Sequence, residues 1–421
     1  MSTAVCVDVG STYTKALRVD LGTGRVLGRA EVPTTSGTDV LTGLDEAVEV
    51  AGGGDELYVC SSAGGGLRLA VVGYESLVTA EAGHRVGLSA GAQVVHVASG
   101  LLDGRAVAAL RAARPDVILL VGGTDGGDEA TLRHNAGRLA TSRMRVPVVV
   151  AGNADARPDA ARVLTDRGVQ VTVTGNVLPR IGVLDPGPAR SAIREMFLRH
   201  VIGGKKLSKG RRFASLVRCA TPDAVLAGVS LLADETAAGV LVVDVGGATT
   251  DVYSALLPDG EMEHGPQRDV AGTLWRSRTV EGDLGVGVGS AGVVAAAATE
   301  KLPEPDISGG RPYDVVTDRA LASTAAMIAL RRHARGHSPG PGLPRTGGRD
   351  LRDVRLVVGS GGVLRHGGGA EVLDAVLSDT AGGWAAPRQV RRAVDTEYVL
   401  AAAGLLADDH PAAAAALVNS L

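Results

Sequence analysis

The chain has 421 residues, of which 45% are hydrophobic and 2% aromatic, and its formal net charge is −3. That length exceeds what a single hydrophobic core usually serves, so we expect at least two domains. The nearly balanced charge argues against a nucleic acid partner. No apolar run is long enough to cross a membrane, and the N-terminus lacks the pattern of a signal peptide. We therefore expect a cytoplasmic protein with no membrane partner and of unknown oligomeric state.

Three cysteines, Cys6, Cys60 and Cys219, lie far apart in the sequence and form no CxxC pair. Cysteines scattered in this way are more typical of buried thiols than of a metal site. A reducing compartment fits this usage, and a cysteine-bound iron–sulfur cluster does not.

The first part of the chain has the sequence patterns of five strands and two helices. Apolar and alternating runs predict three strands within 4–32, a helix over 39–51, strands at 57–61 and 67–72, and a helix over 75–93.

From 116 to 174 the pattern becomes a regular alternation of strands and helices. Apolar strands are predicted at 116–121, 146–150 and 169–174, with helices over 128–141 and 155–167. This alternation favours a parallel sheet of βαβ type. The glycines that follow the strands, at 122–127 and 152, stand where open α/β sheets often bind ligands. Ordinary strand-to-helix turns would carry the same residues, so both interpretations stay open.

The second part of the chain starts again with a strand. We predict a helix over 187–202, a strand from about 237, Pro/Gly-rich loops at 303–313 and 332–350, a strand at 356–358, and a helix over 396–407.

The segment from Ala4 to Lys15 reads as a strand, a tight turn and a second strand. Successive N–H groups in the turn, with hydroxyls beside them, form a nest for phosphate oxygens. The turn residues are Gly10, Ser11 and Thr12. Asp8 stands at the end of the first strand, where it can hold the waters of a Mg²⁺ ion on the phosphates. Lys15 can place its point charge on the same phosphates.

The segment from Val240 to Tyr253 repeats this arrangement 236 positions later. Asp244 takes the place of Asp8, and Asp251 adds a second carboxylate for the metal. The predicted phosphate contacts in this turn are Gly246, Gly247 and Thr249. A third motif, Gly359-Ser360-Gly361-Gly362, follows a strand, and its small residues allow the backbone to approach a base or ribose.

The order of the three motifs resembles the phosphate-1, phosphate-2 and adenosine segments of the actin-like ATPase superfamily. That resemblance implies an α/β fold with two ribonuclease H-like domains facing a nucleotide cleft. We predict a first domain over 1–236, which includes the βαβ segment at about 116–174. The second domain would span 237–421, with its C-terminal helix returning to the interface. A GxGxxG match at 287–292 is a weak Rossmann signal, because the preceding segment is a poor strand.

Longer phrases resemble the glutamate mutase MutL family over nearly the whole chain. They are residues 24–30, 33–35, 61–68, 119–127, 148–153, 186–199, 244–253, 278–285 and 398–406. The resemblance implies an accessory ATPase, or reactivase-like chaperone, of an adenosylcobalamin-dependent mutase such as glutamate mutase. Its cofactors would be ATP/ADP and Mg²⁺. In actin-like ATPases the acid that orients water comes from the end of the first domain, which makes Asp185 the candidate here.

The sequence also allows two alternatives. One is a small-molecule kinase of the same superfamily, with Asp125 or Asp128 as its catalytic acid. The other is a nucleotide-dependent scaffold without catalysis. An activator of radical dehydratases is disfavoured, because such proteins need cysteines that form a cluster.

Overall fold

The computed structural model describes residues 2–64, 67–75, 79–89, 92–196, 207–257, 275–306, 315–336 and 348–421. The strands are β1 Thr3–Val9, β2 Tyr13–Asp20, β3 Val26–Pro33, β4 Glu56–Ser61, β5 Arg68–Gly73, β6 Gln93–Ser99, β7 Val117–Leu120, β8 Val148–Val150, β9 Val171–Val173, β10 Val217–Ala220, β11 Gly239–Val245, β12 Thr250–Ala255, β13 Arg276–Glu281, β14 Val354–Ser360 and β15 Arg391–Val394. The helices are α1 Val40–Val50, α2 Thr79–Ser89, α3 Gly104–Ala112, α4 Ala130–Thr141, α5 Arg157–Thr165, α6 Gly187–Met196, α7 Arg212–Leu216, α8 Thr221–Thr236, α9 Ser290–Thr299, α10 Val315–Arg335, α11 Gly369–Leu377, α12 Val399–Leu406 and α13 Pro411–Val418. A π-helical turn, Leu364–Gly368, precedes α11.

The first sheet has the strand order β10-β4-β1-β2-β3. β1, β2 and β3 form an antiparallel meander, while β4 and β10 run parallel to β1. β1 is central because its alternate residues are apolar on both faces. Val5, Val7 and Val9 join one core, and Ala4 and Cys6 join another.

The second sheet repeats this plan with the strand order β13-β12-β11-β14-β15. Its first three strands form an antiparallel meander, and β14 and β15 run parallel to β11. Two sheets with one strand order and one pattern of directions are the two ribonuclease H-like units of an actin-like ATPase. The fold class predicted from the motifs is therefore confirmed.

A third sheet is inserted in the chain between β4 and β10, with the order β6-β5-β7-β8-β9 and all strands parallel. The βαβ segment predicted at 116–174 supplies β7, β8 and β9, and β5 and β6 extend the sheet beyond it. One face packs on α3, α4 and α5. The other face packs on α2 and α6 and shares one continuous core with the first sheet.

Two helices, α8 and α12, lie between the first and second sheets and share a core with both. At their crossing the backbones of the two helices are in direct contact. A Cβ added to Gly404 would lie 1.9 Å from the carbonyl oxygen of Ala224, and one added to Gly228 would lie 2.0 Å from that of Leu400. The crossing therefore requires glycine on both helices. The domain boundary predicted at 236/237 falls between α8 and β11 and stays a prediction.

Some local predictions need correction. The loop predicted over 332–350 is wrong at its start, because residues 332–335 complete α10, where His333 and Ala334 are buried. Residues 337–347 of that loop, and residues 197–202 of the predicted helix over 187–202, lie outside the described residues. No helix within the described ranges is long and apolar enough to cross a membrane.

Candidate nucleotide site

The two Asp-Gly turns are closed in the same way. In the first, the Gly10 N–H donates to the carbonyl of Tyr13 at 3.0 Å, and in the second the Gly246 N–H donates to that of Thr249 at 2.9 Å. A Cβ on Gly10 would lie 2.7 Å from the Tyr13 oxygen, so this turn requires glycine. Both turns have exposed residues, among them Ser11, Thr12 and Gly247. Each of these turns can therefore offer backbone and hydroxyl groups to a ligand.

A glycine-rich stretch after β13 supports the second turn. The Val286 N–H donates to the carbonyl of Gly246 at 3.1 Å, and the Gly287 N–H donates to that of Gly247 at 2.8 Å. A Cβ on Gly285 would lie 2.6 Å from the backbone of Gly247. The GxGxxG match at 287–292 is thus part of the wall behind the second turn.

Asp8 is the penultimate residue of β1 and faces Lys15 in the β1–β2 register. The Thr221 hydroxyl donates to Asp8 Oδ1 at 2.5 Å, and the Cys60 thiol lies 3.7 Å from the same oxygen. Burial raises the pKa of Asp8, and the charge of Lys15 and the bond from Thr221 oppose that rise. Thr221 begins α8, so the first turn is tied directly to a helix that runs between the sheets.

Asp244 is the penultimate residue of β11 and faces Asp251 in the register of β11 and β12. Burial, with Asp251 and Asp8 adding to it and Lys15 opposing it, raises the pKa of Asp244 to about 6. Asp251 itself is held by Arg278, whose Nε and Nη2 lie 2.8 and 2.6 Å from Asp251 Oδ1. The carboxylate predicted as a third metal ligand therefore already has a cation at one oxygen.

Asp8 and Asp244 meet in an open cleft between the first and second sheets. Its walls include Asp8, Lys15, Thr221 and Asp244. Burial works to lower the pKa of Lys15, but Tyr398, Asp8 and Asp244 outweigh it, so the net shift is upward. The two turns that the sequence pairs thus place an aspartate each, and one lysine, in a single cavity.

The whole chain, from residue 4 to residue 421, matches the family model described as MutL protein. The curated Protein MutL of Clostridium tetanomorphum is 34% identical over 451 residues, which cover 98% of this chain and 97% of that protein. The chain belongs to the MutL protein family. This confirms the resemblance that the longer sequence phrases carry.

Solved structures are similar only at a distance. An ATP-dependent caprolactamase from Pseudomonas jessenii is 13% identical, with 89% of this chain and 67% of that chain covered and a TM-score of 0.34. A ROK hexokinase from Thermus thermophilus is 15% identical, with 99% and 97% covered and a TM-score of 0.29. Scores this low carry no argument, and the fold of this MutL family member rests on its own strand order.

The third motif of the MutL family chain contributes unequally to the cleft. Gly361 has φ +98°, and a Cβ there would lie 2.1 Å from the carbonyl oxygen of Val245 and 3.0 Å from Asp244 Oδ1. It must be glycine for the chain to pass beside Asp244. Ser360 lines the cleft, Gly359 faces the core at Leu364, and Gly362 is exposed.

Asp185 does not join the cleft. It is exposed just before α6, and it is not among the residues that line the cavity. The two acids considered for a kinase also have other roles. Asp125 accepts hydrogen bonds from Asn176 Nδ2 and the Ala154 N–H at 2.8 and 2.9 Å, and Asp128 accepts from the Thr131 N–H at the start of α4. These acids stabilise loops at the end of the third sheet.

The structure brings the three cysteines closer together than the sequence suggests. Cys6, Cys60 and Cys219 lie on β1, β4 and β10, and all three join the core on one face of the first sheet. Cys219 is the register partner of Cys60. Burial raises the pKa of Cys6 and of Cys219 to about 12, so both stay protonated at neutral pH. They are buried thiols, and no group of three or more metal-binding side chains occurs among the described residues.

Sequence reasoning missed several residues of the cleft. They are Thr221, Arg365, Asp395 and Tyr398. None belongs to a motif with fixed spacing, because the fold alone brings these residues to the cavity. A weak signal existed for Tyr398, since it lies at the start of the phrase 398–406 that resembles the family.

Proposed function

We propose that this chain is an ATP-binding accessory protein of an adenosylcobalamin-dependent mutase, such as glutamate mutase, and that it hydrolyses ATP. One observation carries the nucleotide part: Asp8, Lys15 and Asp244 reach one cleft from two units with the same strand order. The mutase part rests on membership of the MutL family, and no contact within the cleft bears on it.

The residues of the cleft fit a nucleotide triphosphate with a divalent cation. The negative charges of Asp8 and Asp244 both act to raise the pKa of Lys15, so this one lysine is attracted by both carboxylates. Two carboxylates with one lysine leave an excess of negative charge, which a divalent ion would balance. Because the described residues offer no set of three metal-binding side chains, the ion would depend on phosphate and water for its other ligands.

The two turns would hold the phosphates from opposite sides. Gly10, Ser11 and Thr12 would contact them from the first unit, and Gly246, Gly247 and Thr249 from the second. Mg²⁺, held through Asp8 and Asp244, would neutralise charge on the phosphates. Lys15 would place its ammonium on the γ-phosphate. Catalysis of this kind depends on position and electrostatics, with little covalent chemistry for the protein.

Hydrolysis would reach the rest of the molecule through α8. Thr221 joins Asp8 to the first turn of that helix, and α8 crosses α12 at Gly228 and Gly404. A change at Asp8 on loss of the γ-phosphate would shift α8 relative to the second sheet. In a reactivase this movement would help a mutase release damaged cobalamin.

The test measures binding and turnover separately. We expect calorimetry to show ATP·Mg²⁺ binding that Asp8→Asn and Asp244→Asn weaken at least tenfold, while Asp166→Asn, at an exposed aspartate just after α5, has no effect. Phosphate release should increase when a suicide-inactivated mutase is added. Parent-level hydrolysis by Asp8→Asn would contradict the scheme.

Other outcomes separate the alternatives. Turnover that depends on a small metabolite, with the γ-phosphate found on that metabolite, would indicate a kinase. Tight ATP binding without hydrolysis, with or without the mutase, would indicate a scaffold. Either result would support the nucleotide site but would contradict its role in ATP hydrolysis for a mutase.

A further inference from the structure

Six side chains connect the two units at the edge of the cleft. Arg365 Nη1 lies 2.9 Å from Glu31 Oε2, and Arg29 pairs with Glu397. Lys15 and Tyr398 complete the group, which we call the clasp: Lys15, Arg29, Glu31, Arg365, Glu397 and Tyr398. The first three lie on β2 and β3 of the first sheet, and the other three follow β14 and β15 of the second.

Tyr398 is the centre of the clasp. Lys15 Nζ lies 3.6 Å from the centroid of its ring, and the guanidinium carbon of Arg365 lies 4.1 Å from the same centroid. One aromatic ring thus holds a cation from each unit. Cation–π contacts are strongest where the cation has lost water, and only 14% of the Arg365 side chain is exposed.

The backbone of Tyr398 is strained. Its φ is +57° and its ψ +37°, in the left-handed region that an aromatic residue seldom occupies. Such a conformation persists when its surroundings hold it, and it is common at functional sites. The next two N–H groups, of Val399 and Leu400, are fixed at 2.9 and 3.2 Å by the buried carboxylate of Asp395. The ring is therefore positioned by the start of α12, one of the two helices between the sheets.

Lys15 cannot serve the ring and a phosphate equally. The proposed function places its ammonium on the γ-phosphate, while the structure places it over Tyr398. We propose that Tyr398 is a positioning residue that competes with the nucleotide for Lys15. When a triphosphate takes Lys15, the ring loses its cation from the first unit and the clasp weakens. This inference rests on the proposed nucleotide site. It adds Tyr398 to that site and predicts that removing the ring strengthens nucleotide binding.

The direction of the change in ATP affinity distinguishes this competition from an ordinary contact between Tyr398 and the nucleotide. Replacing Tyr398 by Leu removes the ring but keeps a bulky apolar side chain, so Lys15 is free for the phosphates. We expect Tyr398→Leu to bind ATP·Mg²⁺ roughly three- to tenfold more tightly than the parent. Tyr398→Phe keeps the ring and should stay within about twofold of the parent. Weaker or unchanged binding by Tyr398→Leu would overturn the competition, because an ordinary aromatic contact to the nucleotide loses affinity when removed.

A second measurement needs no nucleotide and separates this inference from the proposed function. Hydrogen exchange of residues 13–33 and 363–368 should become at least threefold faster in Tyr398→Leu and in Arg365→Gln, and remain at the parent rate in Tyr398→Phe. Arg352→Gln is the matched control, because Arg352 pairs locally with Asp350 at an exposed site. If the parent binds no ATP but exchange changes as expected, the nucleotide site fails and the clasp stands. Unchanged exchange in both variants overturns the clasp, whatever the parent binds.

Discussion

The two hairpins share a register but differ in what faces their aspartates. In the first hairpin Asp8 is opposite Lys15, and in the second Asp244 is opposite Asp251. The first pair is of opposite charge and open to the cleft. The second pair is of like charge, and Arg278 neutralises one of its members from the neighbouring strand. The same scaffold therefore places a lysine opposite its aspartate in one unit and a second carboxylate in the other.

The basic side chains of the two hairpins also differ in their surroundings. Lys15 lines the cavity, where its ammonium lies over the ring of Tyr398 and pairs with no single carboxylate of the described residues at the short distances seen for Arg278. Arg278 is 5% exposed and is committed to Asp251. We infer that the first hairpin is built for exchange with a ligand and that the second is built for rigidity. Substitutions in and around the two hairpins would test that division.

Loss of Arg278 should have the largest effect on stability. Arg278→Met leaves Asp251 buried without its cation, close to Asp244. Breaking one side of a buried pair costs about 3–5 kcal/mol in free energy of unfolding. Urea denaturation would measure it, with Arg276→Met as control, because Arg276 pairs with the exposed Asp234. A loss under about 1 kcal/mol would show that the second hairpin is not the rigid one.

Loss of Lys15 should affect ATP binding more than it affects stability. In the proposed site Lys15 would donate a charged hydrogen bond to phosphate, so Lys15→Met should cost about 1.5–3 kcal/mol of binding, or roughly 10- to 150-fold in Kd for ATP. Calorimetry would measure this, with Lys209→Met as an exposed control. If Lys15→Met destabilised the fold as much as Arg278→Met while binding stayed intact, the comparison would be reversed.

The third motif should respond to a single methyl group. Gly361→Ala forces a Cβ against Val245 and Asp244 at positive φ, which costs about 1–3 kcal/mol of stability. Gly362→Ala has open space at its Cβ and should change stability by less than about 0.5 kcal/mol. Thermal unfolding of the two variants side by side is sufficient. Equal shifts would mean that the tight passage beside Asp244 is not a constraint.

Thr221 should give the smallest effect. Thr221→Val keeps the shape of the side chain but removes the hydroxyl that donates to Asp8. We expect a stability loss of about 1 kcal/mol, and a further rise in the pKa of Asp8, since that bond opposes the effect of burial. Thr221→Ser restores the donor and should recover most of the loss. Titration of Asp8 by NMR would test the direction of the pKa change.

The hairpins could be predicted because their signals are local. Each hairpin, β1–β2 and β11–β12, is signalled by an apolar strand that ends in Asp and is followed by a glycine turn. The whole signal lies within a short, continuous stretch of sequence. The third sheet was predicted only in part, because β6 is half-exposed and lacks the continuous apolar run of β7. The start of the loop predicted at 332–350 was wrong, because burial of His333 and Ala334 extends the helix through a polar stretch.

The cleft was predictable only where a motif reaches it. Asp8, Lys15 and Asp244 sit in such motifs, and the structure brings them together. Arg365 and Tyr398 come from separate segments, and their contacts with Glu31 and Lys15 span more than 330 residues of sequence. Asp185 was placed by analogy with the superfamily, and its neighbouring residues give no reason for it to face the cavity. Contacts of long sequence separation depend on the packing of whole units, which no local pattern encodes.

The shared core of the first and third sheets has a consequence for movement. Because their facing side chains form one apolar cluster, the inserted sheet must travel with the first unit as a single piece. It also touches the second unit, where a Cβ on Gly282 would lie 3.0 Å from Gln93 Nε2. The helices α3, α4 and α5 pack on the opposite face of the inserted sheet from the core that it shares with the first sheet. Any rotation of the first unit about the crossing of α8 and α12 would therefore carry these three helices with it, so that a change in the cleft would also move the outer surface of the insertion.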